Sequence, residues 1–290
     1  MVVIKTLEKN MAVSSKIKNL LKPEPSLFEE IQPRVFTDTV GAVYYVLPAF
    51  NEEKSLPNLL HRITNLNIAH DVKVNVIVVN DGSSDNTAKA ASKTSRNLHL
   101  TIVNHETNMG LGQAVQTGIK EALANAADND IIVIMDADDT HDVTLLDEMI
   151  TQIEDGADIV IASRFVEGGD DKSAPPFRRL LSRGASVVFK TLLPLNKIKD
   201  FTSGYRAYRV RTLKKASIHY GETLVNEQGF ACMVELLLKL RHWSPNIIEI
   251  PFKLRYDRKL GASKLKLTKT LMQYLKLAIR DRVSPAPRRK

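Results

Sequence analysis

Residues 131–142 read IIVIMDADDTHD: five apolar residues, then acids at 136, 138, 139 and 142 with His141 among them. A short, wholly apolar, β-branched run closed by acids reads as a strand buried on both faces. Burial on both faces belongs to a sheet with helices packed on either side. The neighbouring sequence repeats the pattern. Strands are expected over 42–47 (AVYYVL), 74–79 (VNVIVV), 98–104 and 157–162 (ADIVIA). Between them, residues 53–66 place Leu56, Leu59, Leu60 and Ile63 at helical spacing, and 87–95, 110–124 and 144–154 are also expected helices. Pro48 is expected to stop the first strand, and Ser84 or Asp85 to cap the helix after the second.

Strands alternating with helices at this spacing make βαβ units and a mainly parallel α/β sheet. In such sheets ligands bind beyond the carboxyl ends of the strands. Those ends carry residues 48–52, 80–85, 104–112, 136–142 and 163–169, where most of the unusual polar residues of this half collect. One composite site is expected there. After residue 170 the pattern loosens. Helices are expected over 177–195 (apolar positions Phe177, Leu180, Leu181, Ala185, Val188 and Leu192) and 230–240. Residues 246–254 read as a strand, and 265–280 as a basic amphipathic helix with Leu267, Leu271, Tyr274, Leu275 and Ala278 on one side. The expected organisation is an N-terminal extension over 1–40, one α/β domain over 41–264, and a basic helix and tail over 265–290.

The 290 residues carry a net charge of +8, with 43% hydrophobic and 26% charged residues, which excludes disordered, collagenous and disulfide-scaffold proteins. A single cysteine, Cys232, cannot form an internal disulfide. No run reaches the ~18 apolar residues of a spanning helix, and residues 1–13 lack a signal-peptide pattern. A cytoplasmic chain is expected, lying on any membrane it touches. The charge is uneven. Residues 251–290 hold 13 Lys or Arg against 2 Asp, and residues 172–199 hold 7 against no acid, so the rest of the chain carries −10. Basic segments of this kind meet nucleic acid, an anionic membrane or a phosphorylated substrate, or form a solvated face. No nucleic-acid-binding module is recognisable, and no nucleic-acid partner is expected.

Three strand ends carry candidate chemistry. Asp136 and Asp138 form a D-x-D pair; carboxylates this close repel unless a cation neutralises them, and oxygen ligands suit Mg²⁺ or Mn²⁺, which can bridge to a diphosphate. The same acids also suit a helix cap and turn. In NDGSSD at 80–85, Asp81 can accept from a base N–H or a ribose hydroxyl, although an Asx-rich turn has this composition too. PAFNE at 48–52 offers Phe50 and Glu52. Neither a dinucleotide G-x-G-x-x-G nor a P-loop is present, and the histidines lack zinc spacing.

Taken together, VLPAFNEEKSL, VIVVNDGSSDNT, NMGLGQAVQTGI, IIVIMDADDTHD, IVIASRF and DFTSGYRAY, spread over about residues 42–264, resemble the family-2 inverting glycosyltransferases of the GT-A, Rossmann-like nucleotide-diphospho-sugar transferase fold. RRLLSRGA at 178–185 and RKLGASK at 258–264 bring the chain nearest to polyprenyl-phosphate hexosyltransferases of the dolichyl-phosphate mannose synthase type. The resemblance implies transfer of mannose or glucose from GDP-mannose or UDP-glucose, with Mg²⁺ or Mn²⁺, to a polyprenyl phosphate. It assigns Pro48, Phe50, Glu52 and Asp81 to the nucleotide. Asp136 and Asp138 match the D-x-D pair, with Asp138 the direct metal ligand. Thr140 falls where some relatives place a further metal-side ligand. Arg164 matches a catalytic arginine near the phosphates, Arg258 an arginine that clamps the donor diphosphate, Arg178 and Ser182 the acceptor-phosphate pair, and Ser203, Gly204 and Arg206 a loop beside the acceptor.

A phosphate acceptor is anionic near neutral pH and needs no general base, whereas a sugar hydroxyl would need a carboxylate. Asp200 and Glu227 are candidates for that role in the alternative, a same-fold enzyme with a soluble or glycan hydroxyl acceptor. The two basic amphipathic helices fit peripheral contact with an anionic membrane surface.

Overall fold

The computed structural model describes residues 39–94, 98–192, 198–243, 246–260 and 267–283, all within one compact unit. The expected extension over 1–40 lies almost wholly outside the described residues, as does the tail after 283. Chain order is β1 (Ala42–Ala49), α1 (Leu56–Thr64), β2 (Lys73–Asp81), α2 (Thr87–Thr94), β3 (His99–His105), α3 (Leu111–Asn125), β4 (Ile131–Ile134), a 3₁₀ turn (Val143–Leu145), α4 (Leu146–Glu154) and β5 (Ile159–Ser163). There follow α5 (Pro176–Leu192), β6 (Arg206–Arg209), α6 (Val210–Tyr220), α7 (Ala231–Leu240), β7 (Ile247–Pro251), a 3₁₀ turn (Tyr256–Arg258) and α8 (Leu267–Val283).

The strands form one sheet in the order β3-β2-β1-β4-β6-β5-β7, parallel except where β6 runs antiparallel between β4 and β5. Alternation along each strand splits the core into two layers. Val46, Ile132 and Ile134 face α3 and α7, whereas Tyr45, Leu47, Ile131 and Val133 face α1 and α4. Every residue of β4 is buried, as its apolar run requires.

The structure differs from the expected elements in four places. First, β1 continues through Pro48 to Ala49. Its pairing with β4 ends at Val46↔Ile134 while pairing with β2 runs on to Ala49↔Asn80. The Val46 carbonyl, two residues earlier on the same edge, already turns towards β4 to accept from Met135 N. The absent N–H of Pro48 therefore falls where that ladder has closed. Second, β6 reads as RAYR and has no apolar run. Both arginines are nevertheless fully buried, because Arg206 donates to the carbonyls of Phe201 (2.7 Å) and Met233 (2.6 Å) and Arg209 to those of Ile153 and Ala157.

Third, the expected apolar positions of α5 do not share one face: Ala185 is buried, as is Phe189 outside that stripe, while Phe177 and Leu180 are exposed. Fourth, α8 buries Tyr274, Leu277 and Ala278 but exposes Met272, Leu275 and Ile279. The side chains of Leu181, Val188, Leu192, Leu267 and Leu271 lie outside the described set.

Helix α3 lies close on β1 at Gly118, where an added Cβ would sit 2.2 Å from Val46 Cγ1. Gly118→Ala is expected to lose about 1–3 kcal/mol of stability by overpacking, despite the better helix propensity of alanine. Adding Val46→Ala should make the combined loss smaller than the sum of the two single losses in urea unfolding. A Gly118→Ala protein as stable as the wild type would contradict this packing.

Candidate active site

The turn after β4 carries the acidic run. Asp139 has φ +62°, the left-handed region that non-glycine residues seldom occupy. It is held there by Arg62 on α1, whose Nη1 donates to Asp139 Oδ1 (2.7 Å) and to the His141 carbonyl (3.1 Å). The His141 ring is stacked on Tyr205 at 5.2 Å and meets the edge of Phe252 at 5.3 Å, and its Nδ1 accepts from Asp136 N (3.3 Å). Burial pushes the His141 pKa down, outweighing the nearby carboxylates, and keeps it in the neutral form that can accept at Nδ1.

This turn aims Asp136 and Asp138 into the site with different electrostatics. Burial would raise the Asp138 pKa. The Lys259 ammonium, which donates to Asp138 Oδ2, outweighs it, with help from Thr140 Oγ1 (2.7 Å to Asp138 Oδ1), so Asp138 lies below the usual carboxylate range. Asp136 moves the other way, because burial and the Asp138 charge outweigh the cations near it.

A cavity of about 670 Å³ opens at the carboxyl ends of β1, β2 and β4, lined by Pro48, Phe50, Glu52, Asp81, Met109 and Lys259 among others. The Glu52 segment is fixed by Thr87, since Glu52 N donates to Thr87 Oγ1 (2.8 Å). Asp85 caps α2 by accepting from Thr87 N (3.0 Å). Asp81 is a structural hub of this wall. Its Oδ1 accepts from Met109 N (2.9 Å) and faces His105 Nδ1 (2.7 Å), while its Oδ2 accepts from Gly110 N (2.9 Å). It thereby holds the turn into α3. Gly112 then packs so tightly on the 227–228 backbone that a Cβ there would lie 1.8 Å from the Glu227 carbonyl oxygen.

A smaller cavity of about 90 Å³ adjoins the first, and Asp136, Asp138, Arg178, Phe230 and Thr270 line both. Its own walls include Thr140, Arg164, Arg179, Ser182, Ser203 and Tyr274. Arg164 grips Asp200 through Nε (2.8 Å) and Nη2 (2.7 Å) and also donates to Thr202 Oγ1 (2.7 Å), which is 2.9 Å from Ser182 Oγ. The Arg178 guanidinium lies over the Tyr256 ring at 5.2 Å.

The structure thus brings Pro48, Phe50, Glu52, Asp81, Asp136, Asp138, Thr140, Arg164, Arg178, Ser182 and Ser203 to one pair of adjoining cavities. It does not bring Arg206 or Arg258 to them. Arg206 is committed to two carbonyls inside the sheet. The 3₁₀ turn at Tyr256–Arg258 is followed by Lys259, and it is Lys259 that faces the larger cavity. Residues that sequence reasoning missed include Lys259, adjacent to the expected arginine, as well as Thr202, Tyr256 and Arg62. Only the first had a sequence signal, the basic pair at 258–259. Among the described residues no three His, Cys, Asp or Glu side chains cluster as a metal cage. The oxygen set is Asp138 with Asp136 beside it, and the cation already on Asp138 shows that the position suits positive charge.

Asp200 is fully buried, and the alternative that used it as a base meets a geometric objection. Besides Arg164 it accepts from Thr202 N (3.1 Å) and Ser203 N (3.0 Å). Burial raises its pKa, but the Arg164 charge and these hydrogen bonds bring it below the usual range. The other candidate, Glu227, pairs with Arg280 at 3.2 Å. The Asp200–Arg164 contribution to stability is complete above the ordinary Asp pKa of about 3.9 and is lost as pH falls through the depressed folded value. Asp200→Asn should therefore cost about 3–5 kcal/mol at pH 7 by stranding a buried guanidinium. The gap to the wild type should narrow in acid when both are unfolded by urea. A gap unchanged at pH 3 would contradict the assignment.

Comparisons with known proteins agree with this geometry. The family model described as "Glycosyl transferase family 2" matches residues 44–216. Dolichol-phosphate mannosyltransferase of Pyrococcus furiosus is 33% identical over 235 residues, which is 81% of this chain but 62% of that protein. The chain thus spans less than two thirds of that relative. Polyprenol monophosphomannose synthase of Mycolicibacterium smegmatis is 31% identical over 222 residues, 76% of this chain and 79% of that one. Glucosyl-3-phosphoglycerate synthase from Mycobacterium tuberculosis, solved with Mn²⁺, uridine diphosphate and glucosyl-3-phosphoglycerate, superposes with a TM-score of 0.61 at 18% identity. That match covers 85% of this chain and 81% of the other and shows the shared fold. With more than half of its length matched by the family model, a D-x-D turn at the end of β4 and the GT-A sheet around it, the chain belongs to glycosyl transferase family 2.

Proposed function

We propose that this glycosyltransferase moves a hexose, mannose in the first instance, from a nucleoside-diphosphate sugar to a polyprenyl phosphate, with inversion at the anomeric carbon. The observation that carries the reading is the pair of cavities meeting at Asp136, Asp138 and Arg178. The larger, with Phe50, Glu52 and Asp81 on its wall, fits a nucleotide. The smaller, with Arg164, Arg178, Arg179 and Ser182, fits a phosphate, since guanidinium groups match phosphate oxygens bidentately. The relatives named for dolichol and polyprenol phosphates support the same acceptor class.

An acceptor phosphate oxygen attacks the anomeric carbon, the bond from that carbon to the β-phosphate oxygen breaks, and the electron pair leaves with the nucleoside diphosphate. No proton has to be removed from the nucleophile, because a phosphate monoester with a second pKa of about 6 is already anionic. The committed hydrogen bonds of Asp200 favour this over a hydroxyl acceptor, which would need a base. Asp138, with Asp136 beside it, would hold Mg²⁺ or Mn²⁺, which supplies charge stabilisation to the departing diphosphate. Arg178, at the seam of the two cavities, orients the acceptor phosphate.

A polyprenyl chain needs an apolar exit. Phe177 (62% exposed) and Leu180 (69% exposed) flank Arg178 on α5, and α8 exposes Met272, Leu275 and Ile279 beside Lys276 and Arg280. Apolar residues interleaved with cations suit peripheral contact with an anionic bilayer surface. No helix among the described residues is long and apolar enough to cross a membrane.

Asp138→Ala is expected to abolish transfer, and full activity of that variant would remove the metal assignment. Arg178→Ala should raise the KM for a short polyprenyl phosphate by at least about tenfold while changing the donor KM much less; equal losses for both would refute its role. Phe177→Ser with Leu180→Ser should reduce co-sedimentation with anionic vesicles at high salt, where apolar contact dominates. Unchanged co-sedimentation would argue against this face as the membrane contact.

A further inference from the structure

We infer that Lys259 is an internal counter-ion that must leave Asp138 before a divalent cation can bind, and that this exchange couples metal binding to donor binding. The inference rests on the reading of Asp138 as a metal ligand and concerns how that site is loaded.

The two oxygens of Asp138 are not equivalent. Oδ1 accepts twice, from Thr140 Oγ1 (2.7 Å) and Thr140 N (3.2 Å). Its two lone-pair directions are thereby used. Oδ2 is the oxygen left for a cation, and the Lys259 ammonium sits on it. The pair is largely shielded, with side chains 10% (Lys259) and 12% (Asp138) exposed, so solvent screens it little. An ammonium and a dication cannot share one carboxylate oxygen without strong repulsion, so metal on Oδ2 displaces Lys259.

The displaced side chain stays at the larger cavity, where Glu52 also attracts it. The backbone before it is fastened: Arg255 N donates to the Thr140 carbonyl (3.0 Å), Tyr256 N to Ser173 Oγ (3.0 Å) and Lys259 N to the Tyr256 carbonyl (3.2 Å). The four-carbon stem is free to change rotamer, and Lys259 already lines the larger cavity. The anion that enters that cavity on the proposed reading is the donor diphosphate. Metal alone breaks the close ion pair and leaves Lys259 only the weaker attraction of Glu52, whereas metal with diphosphate gives it a more highly charged partner. The two ligands therefore bind cooperatively, each raising the affinity of the other by the same factor.

The test is Mn²⁺ titration of the full chain at fixed ionic strength, read by the electron paramagnetic resonance of free Mn²⁺, without nucleotide and with GDP or UDP. In the wild type, the nucleotide that binds should tighten Mn²⁺ by about tenfold or more, within the usual range of coupling. Lys259→Gln should bind Mn²⁺ alone about tenfold more tightly than the wild type, with the nucleotide effect shrinking towards unity. Lys259→Arg, which keeps the charge, should stay close to the wild type. A Lys259→Gln protein with unchanged or weaker Mn²⁺ affinity, alongside intact coupling in the wild type, would overturn the inference and leave the metal site standing. If Asp138→Asn binds Mn²⁺ as well as the wild type in the presence of nucleotide, the metal site itself falls, and the inference with it. A second measurement needs no charge removal. In the wild type, the Lys259 ammonium ¹H–¹⁵N resonance, assigned by its loss in Lys259→Arg, should shift when Mg²⁺ and nucleotide are added together. A resonance unmoved at saturation would overturn the exchange.

Discussion

The site is organised by a single constraint: two carboxylates, Asp136 and Asp138, stand close together at the end of a wholly buried strand, where burial limits the water that can screen their charge. In a low-dielectric setting they cannot both remain ionised without cations close by. The surrounding structure supplies those cations and holds the turn in an otherwise unfavourable shape. Arg62 fastens Asp139 in the left-handed region, neutral His141 accepts from the Asp136 backbone, and Lys259 sits on Asp138. The opposite pKa directions of the two acids follow from this, since the closer cation belongs to Asp138.

The same logic divides the basic residues between two tasks. Arg164 is held by Asp200, so its guanidinium is both fixed and half neutralised. Arg178 lies over the Tyr256 ring and near Asp136, at the seam of the two cavities. Tyr256 therefore stands, on the proposed function, between the acceptor side, through Arg178, and the donor side, through the Lys259 segment that follows it. On the proposed function, this is where the anomeric carbon and the acceptor phosphate meet.

The βαβ half of the fold was legible because its signals are local. Apolar runs such as IIVIM and VNVIVV, closed by Asx residues, mark strands and their ligand-facing ends without tertiary information. The second half was less legible because its elements depend on partners far away in sequence. β6 hides two arginines that only the carbonyls of Phe201, Met233, Ile153 and Ala157 make tolerable. The expected stripe of α5 includes Phe177, Leu180 and Ala185, yet the core takes Ala185 and leaves Phe177 and Leu180 outside. Within the site, residue types at strand ends pointed to Asp136, Asp138, Asp81 and Glu52. The sequence could not reveal that Asp81 spends its oxygens on the backbone of Met109 and Gly110, because those donors carry no side-chain signature. Nor could it decide between Arg258 and Lys259, since the path of a short 3₁₀ turn makes that choice.

On the proposed function the acceptor brings its own negative charge, so that no protein base is required. The most direct measurement offers the enzyme a short polyprenyl phosphate and the matching polyprenol side by side, with Mg²⁺ or Mn²⁺ and a panel of GDP- and UDP-hexoses, and reads the products by mass spectrometry. A hexosyl phosphopolyprenol is expected from the phosphate and no hexosyl polyprenol from the alcohol. Transfer to the alcohol, or to a soluble glycan in preference to the lipid phosphate, would contradict it.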